Sequence, residues 1–194
     1  MNRWQALEGG PLMIVIGEVL LVVCSLSYLV WWTITFRPSV RSGPGGGPFL
    51  AGAVVGGLGG LVLLAVGIAA LVSKASAAAL GATVVGGALV GALLLHLTSN
   101  VAHRPLTPEL PLIVVWGTMQ LAAGITLRTA GVLGTSAASA WVVATAVATL
   151  VGLACYLIFY RLEPVAAYRV GMVPLAVDGV VAAILAVIML IRVP

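Results

Sequence analysis

Two carboxylic acids, Glu18 and Asp178, stand inside long apolar segments of the chain. An ionisable group at membrane depth is costly, and such residues usually face the interior of a helix bundle, where they serve proton or ion pathways. Each acid lies about eight residues into its predicted helix, roughly 10 Å from the interface. Because the two helices run in opposite directions, the acids approach different membrane faces. We therefore expect no tight pair of the aspartic-protease kind, and each is a separate candidate for acid catalysis or proton-linked transport.

Other polar and aromatic side chains gather toward one end of the predicted helices. His96 and Asn100 are four residues apart and share a helix face. Aromatic walls with a few polar groups are typical of a small-molecule pocket. The candidate ligand-binding residues are Tyr28, Trp32, His96, Asn100, Trp116, Gln120, Tyr156 and Asp178. Two simpler interpretations stay open: tryptophan and tyrosine also form interfacial belts, and Gln120 also suits a plain interhelical hydrogen bond, for which Glu18 is a candidate partner.

Basic side chains stand near the ends of the apolar segments and do not form a run. We assign Arg37, His103, Arg104 and Arg161 to contacts with lipid headgroups. The scattered charge excludes a nucleic-acid surface. His96 and His103 are seven residues apart, and the two cysteines have no metal-ligand spacing, so neither a metal site nor a cofactor is predicted.

Composition places these residues in a membrane. Only 7% of the 194 residues are charged and 62% are hydrophobic, whereas a soluble domain carries about 25% charged residues. The sequence therefore predicts an all-α, polytopic integral membrane bundle with the lipid bilayer as its main partner. A single transmembrane domain over 1–194 leaves no soluble domain.

Six segments are long and apolar enough to span a bilayer, which takes about 20 residues. The predicted spans are 11–36, 49–72, 78–100, 110–127, 139–160 and 171–191. Arg37-Pro38 ends the first span, because a residue before proline avoids the helical region. Thr107 as the N-cap and Pro108 at the first helical position start the fourth.

Glycines recur at helical spacing in the second and third spans. Gly52, Gly56 and Gly60 are four residues apart, as are Gly87 and Gly91. Small residues at this spacing let helix backbones approach closely. We expect these two helices to pack against each other across a short turn. The alternative is that the glycines form the surface of a homodimer or of a larger membrane complex.

Three functional hypotheses follow. The first is a small membrane protein that binds or transports a small solute or lipid-like molecule, with the two acids as proton- or ion-linked sites. The second is an intramembrane enzyme that acts on a lipid or isoprenoid by acid catalysis, with tryptophans stabilising a cation. The third is an accessory or structural subunit of a membrane complex. The small size and the richness in Ala, Gly and Val favour a multi-pass protein of a bacterial cytoplasmic membrane.

Overall fold

Six long helices make up most of the part of the chain that the computed structural model describes, which is residues 9–37, 44–74, 77–101 and 109–192. They are α1 (Gly10–Phe36), α2 (Gly47–Leu71), α3 (Ala77–His96), α4 (Glu109–Thr129), α5 (Thr135–Phe159) and α6 (Pro164–Arg192). Each is long and apolar enough to cross a membrane. The predicted all-α class and its six spans are confirmed.

The largest difference in helix bounds is at the start of α6. This helix begins at Pro164 and not at the predicted residue 171. Proline suits the first helical position, and the backbone N–H of Ala167 donates to the carbonyl oxygen of Glu163 at 2.8 Å. Its 29 residues extend about 43 Å, which exceeds the roughly 30 Å hydrocarbon layer. The apolar pattern of the sequence identified only residues 171–191, so the first turns of the helix were missed.

The short connections between the helices are described only in part. A 3₁₀ turn at Pro44–Gly46 precedes α2, a second one at Val72–Lys74 follows it, and a π turn at Leu97–Val101 extends α3. The predicted N-cap of the fourth span, Thr107 with Pro108, lies outside the described residues.

Five of the helices form a closed ring. Going round it, α1 packs against α2, α2 against α4, α4 against α5, α5 against α6, and α6 against α1. The remaining helix, α3, lies outside the ring and packs along α4. None of its residues is buried.

The closest helix contact in the ring joins the backbones of α1 and α2 through glycine. A methyl group added at Gly60 would lie 2.9 Å from the carbonyl oxygen of Gly17, and one added at Gly17 would lie 3.0 Å from the carbonyl oxygen of Gly60. Gly10 and Gly67 meet in the same way two turns along, where a methyl group on Gly67 would lie 2.7 Å from the Gly10 carbonyl oxygen. Only glycine permits this separation at these positions.

The prediction that the second and third helices pack on each other is wrong. The α2 glycines meet α1, as Gly56 does where it faces the Leu20 carbonyl oxygen. Gly87 and Gly91 on α3 instead face Thr118 and Val114 of α4. The spacing identified surfaces that allow close approach, but each surface meets a different helix from the one expected.

Side-chain size is distributed to suit a lipid solvent. The fully buried positions include small residues such as Ala123, Ala148 and Ala182, while leucines and valines cover the outside, as at Leu58 and Val143. In lipid, apolar bulk gains nothing by being buried, so association depends on close packing. The interior is consequently tight, and a polar group inside it has few ways to find a partner.

The glycine contact predicts a difference between two alanine substitutions. Gly60→Ala should lower the free energy of unfolding by about 1–3 kcal/mol, because the methyl group meets the α1 backbone. Gly81→Ala is the matched control, since nothing lies within 4 Å of its added methyl group, and it should not destabilise the protein. Thermal unfolding in detergent, followed by tryptophan fluorescence, measures both. Equal melting temperatures for the two variants would contradict the packing described.

Candidate functional site

Glu18 lies at the centre of the ring with its side chain fully buried, at 0% exposure. It follows Gly17, so the backbone contact with α2 turns the neighbouring carboxyl group toward α4. There the Gln120 side chain donates from Nε2 to Glu18 Oε2 at 3.0 Å. The hydrogen bond that the sequence analysis considered between these residues is therefore present. It joins α1 to α4 across the ring.

Gln120 also connects α5 to the same point. Trp141 Nε1 donates to the backbone carbonyl oxygen of Gln120 at 2.9 Å. The indole fits there because Gly124 leaves room: a methyl group at that glycine would lie 2.9 Å from Trp141 Cδ1. Gln120 and Trp141 are both fully buried, so three helices meet here away from the surface of the bundle.

Several oxygen atoms around this point have no hydrogen-bond partner among the described residues. They include Glu18 Oε1, Gln120 Oε1 and Thr145 Oγ1. Thr145 lies one helical turn after Trp141 on the same face of α5, level with Gln120. Glu18, Gln120, Trp141 and Thr145 are called the polar centre below. Burying polar atoms without partners costs free energy, and native structures rarely accept it without a reason.

The carboxyl group of the polar centre has no basic neighbour in the described part of the chain. Its one hydrogen-bond partner there is the neutral amide of Gln120. A buried carboxyl group without a counter-charge is stable either as the neutral acid or with a bound cation. What this arrangement can do chemically is accept and release a proton or a cation.

Asp178, the second acid, lies further along its helix than predicted. Because α6 begins at Pro164, Asp178 is near the middle of the helix and not close to its start. The adjacent Gly179 faces Ser25 of α1, which places this level about 10 Å along α1 from Glu18 at 1.5 Å per residue. Asp178 is half-buried. The two acids form no tight pair, in agreement with expectation.

The predicted pocket of eight residues does not assemble as a whole. His96 and Asn100 do share a face, and their side chains are hydrogen-bonded at 3.0 Å, but both are exposed on the outer helix α3. They were expected beside α1, α5 and α6, which is wrong because α3 packs on α4. Trp116 is buried in the apolar core of the ring.

Tyr28, Trp32 and Tyr156 lie toward the same end of the ring, where α1 and α5 end and α6 begins. They are linked through the rings of Phe159 and Tyr160. Trp32 stacks near Tyr28 and contacts the Phe159 ring at a centroid distance of 6.1 Å. Its Nε1 atom donates to the backbone oxygen of Tyr168 at 3.1 Å, so this tryptophan holds α6 against α1. Tyr156 packs edge-on against Tyr160. Three of the predicted ligand-binding residues thus form an aromatic end to the ring, close to the level of Asp178.

The residues assigned to lipid headgroups are at helix ends where the structure describes them. Arg37 follows α1 and Arg161 lies between α5 and α6, both exposed. His103 and Arg104 lie outside the described residues, and the headgroup role of all four stays a prediction. Within the described ranges, no three His, Cys, Asp or Glu side chains come together to hold a metal ion.

Sequence reasoning missed the part that α5 plays in the polar centre. Trp141, Thr145, Ala148, Gly152 and Tyr156 are all buried, and they recur at helical spacing along one face. This stripe of small and polar residues was visible in the sequence. It was overlooked because threonine and alanine inside an apolar span look like ordinary packing residues.

Removing the amide partner should expose the cost of the buried acid. Gln120→Leu should lower the free energy of unfolding by about 1–3 kcal/mol, because Glu18 loses its one partner. In the Glu18→Leu/Gln120→Leu double variant neither polar group remains, so part of that loss should be recovered. Thermal unfolding of the single and double variants tests this. Strictly additive losses would mean that the two side chains do not interact.

Comparison with known proteins leaves these residue roles to geometry alone. The chain matches no protein-family model, no curated protein and no solved structure. Helical membrane bundles host carriers, channels and enzymes alike, so the fold does not select among them.

Proposed function

We propose that this protein is a small multi-pass transporter of the cytoplasmic membrane in which the Glu18 carboxyl group takes up and releases a coupling proton. The observation that carries the proposal is the fully buried position of Glu18 with one carboxyl oxygen unpartnered. Ionisable residues inside membrane spans are rare and expensive, and they mark ion paths and proton relays. A purely structural acid would be expected to have both oxygens satisfied.

The amide of Gln120 suits a carboxyl group that changes its protonation state. An amide carries both donors and an acceptor. Its N–H group donates to Glu18 Oε2, which serves the ionised acid. Its own oxygen, Gln120 Oε1, is unpartnered and can accept the O–H of the neutral acid. The pair can thus remain hydrogen-bonded in both states.

The glycine contact beside the acid supports a moving helix. At Gly17 and Gly60 each helix presents backbone, and one leucine of the facing helix, Leu64 or Leu21, packs on each glycine, so a change of angle between α1 and α2 requires few side chains to move. Carriers alternate their access by rocking one part of the bundle against the rest. Such a movement of α1 would carry Glu18 with it.

The transported solute is assigned in this proposal to the aromatic end of the ring. Asp178 is half-buried and shares a face of α6 with Gly171, which contacts Trp32. Aromatic surface next to one acid is suited to a small, partly apolar molecule with a hydrogen-bond donor or a positive charge. Binding there would occur away from the proton-carrying Glu18.

A role as an accessory subunit is the second candidate, and α3 favours it. This helix has no buried residue, and an apolar groove of about 470 Å³ lies between it and α4. The enzyme hypothesis stays a third candidate. Trp31 and Trp32 lie about 20 Å along α1 from Glu18 at 1.5 Å per residue. Trp116, the third tryptophan considered for stabilising a cation, is buried one helical turn before Gln120.

Proton flux into liposomes, measured without solute as the uncoupled leak through the proton-carrying site, tests the role of Glu18. Purified protein is reconstituted with a pH-sensitive dye inside, and a potassium gradient with valinomycin drives protons inward. The wild type should acidify the interior. Glu18→Gln keeps the size of the side chain but cannot bind a proton, and it should reduce the flux by about two orders of magnitude.

Asp178→Asn, measured in the same liposomes, separates the two acids. It should retain proton flux, because Asp178 lies at the solute end in this proposal. Full flux in both the Glu18→Gln and the Asp178→Asn variants would contradict a proton-carrying role for either acid.

A further inference from the structure

Three buried hydroxyl groups on α5 have no hydrogen-bond partner in the described part of the chain. They belong to Thr145, Thr149 and Tyr156. The residues are spaced by four and seven along the helix, so they share one face. Thr145 is fully buried and Tyr156 is only 8% exposed.

Six other threonines in the described part of the chain use their hydroxyl groups within their own helix. A threonine in a helix normally donates to the carbonyl oxygen four residues earlier. Six do so here, at distances of 2.7–3.0 Å: Thr33, Thr83, Thr98, Thr118, Thr126 and Thr129. Thr145 and Thr149 do not make this bond. The Thr149 hydroxyl group faces Gly117 of α4 instead.

The row begins at the polar centre. Thr145 is one turn from Trp141, which donates to the Gln120 backbone, and so lies at the level of the Glu18–Gln120 pair. One turn further, Thr149 faces α4 at Gly117, where an added methyl group would lie 2.6 Å from Thr149 Oγ1. The lack of a side chain at Gly117 leaves this hydroxyl against bare backbone.

The row ends at the aromatic end of the ring. Between Thr149 and Tyr156 stands Gly152, where the Ile113 side chain of α4 occupies the space, with its Cδ1 at 3.5 Å from an added methyl group. Water can pass this point only if Ile113 moves aside. Tyr156 then contacts the ring of Tyr160, an exposed residue next to Arg161 at the end of α5. Apart from this contact with Ile113, hydroxyl groups and glycine line the row from the polar centre to the C-terminal end of α5.

We infer that this row is a water-lined proton path that connects Glu18 with the arginine-bearing end of α5. Its ligand is water or hydronium, which can both donate to and accept from each hydroxyl group. Along such a file, each water receives a proton from one neighbour and passes another to the next. The last transfer forms the O–H bond of the Glu18 acid, so charge and protons balance and nothing is oxidised. The inference rests on the proposed proton-carrying role of Glu18 and gives that role a route.

Flux measurements on matched variants test the route. The Thr145→Val/Thr149→Val pair removes two hydroxyl groups at nearly constant shape, and proton flux should fall by roughly tenfold. Tyr156→Phe should also reduce it. The control is Thr126→Val, which is equally buried but whose hydroxyl group is satisfied by the Ala122 carbonyl oxygen. This control should match the wild type.

The pattern across variants separates the route from the function. Loss of flux in Glu18→Gln with normal flux in the Thr145→Val/Thr149→Val variant would overturn the path and leave the role of Glu18 standing. Normal flux in Glu18→Gln with reduced flux in the threonine variant would overturn the role of Glu18 and support a conducting row. Equal losses in Thr126→Val and in the threonine variant would overturn the path, since the effect would then be general.

A second measurement decides the path without any transport. A high-resolution structure of the full chain in lipid should show ordered water within hydrogen-bond distance of Thr145 Oγ1 and Thr149 Oγ1. If both hydroxyl groups instead donate to the carbonyl oxygens four residues earlier and no water lies beside them, the row is dry and the inference is wrong.

Discussion

The backbone contact between α1 and α2 is the constraint on which the rest of the ring depends. It exists because Gly17 and Gly60 place bare backbone opposite bare backbone. In lipid, where apolar side chains gain nothing from leaving the solvent, such close packing supplies much of the association. The contact fixes one face of α1. Glu18, the next residue, is thereby directed across the ring to Gln120 on α4.

The polar centre lowers the stability that the surrounding close packing provides. Small residues make the interior tight, yet that interior holds an acid, an amide and a threonine with unpartnered oxygens. Each such atom costs free energy that close packing elsewhere must offset. A structural role alone would be served as well by leucine or alanine. The proposed role of Glu18 in proton transport explains why the protein keeps polar atoms here despite their free-energy cost.

Much of the fold was contained in the sequence. A low charge content left lipid as the solvent, and about 20 apolar residues between turn signals marked each of the six spans. The cost of an acid at membrane depth identified Glu18 and Asp178 as the residues to explain. Gln120 was a visible partner for Glu18 because polar residues within spans are few. Local composition is sufficient for these conclusions, since each depends on the surroundings of one segment.

Which surfaces meet was decided only by the tertiary structure. Glycine spacing shows that a helix face is flat, but not which helix covers it, so the α2 glycines were assigned to α3 when they belong to α1. That choice placed α3 outside the ring and left His96 and Asn100 exposed. The tertiary structure also decided that the Thr149 hydroxyl group faces the α4 backbone at Gly117, which the sequence of α5 alone does not show. The sequence determined which segments span the membrane and which residues are costly there, whereas pairwise packing of distant helices decided their neighbours.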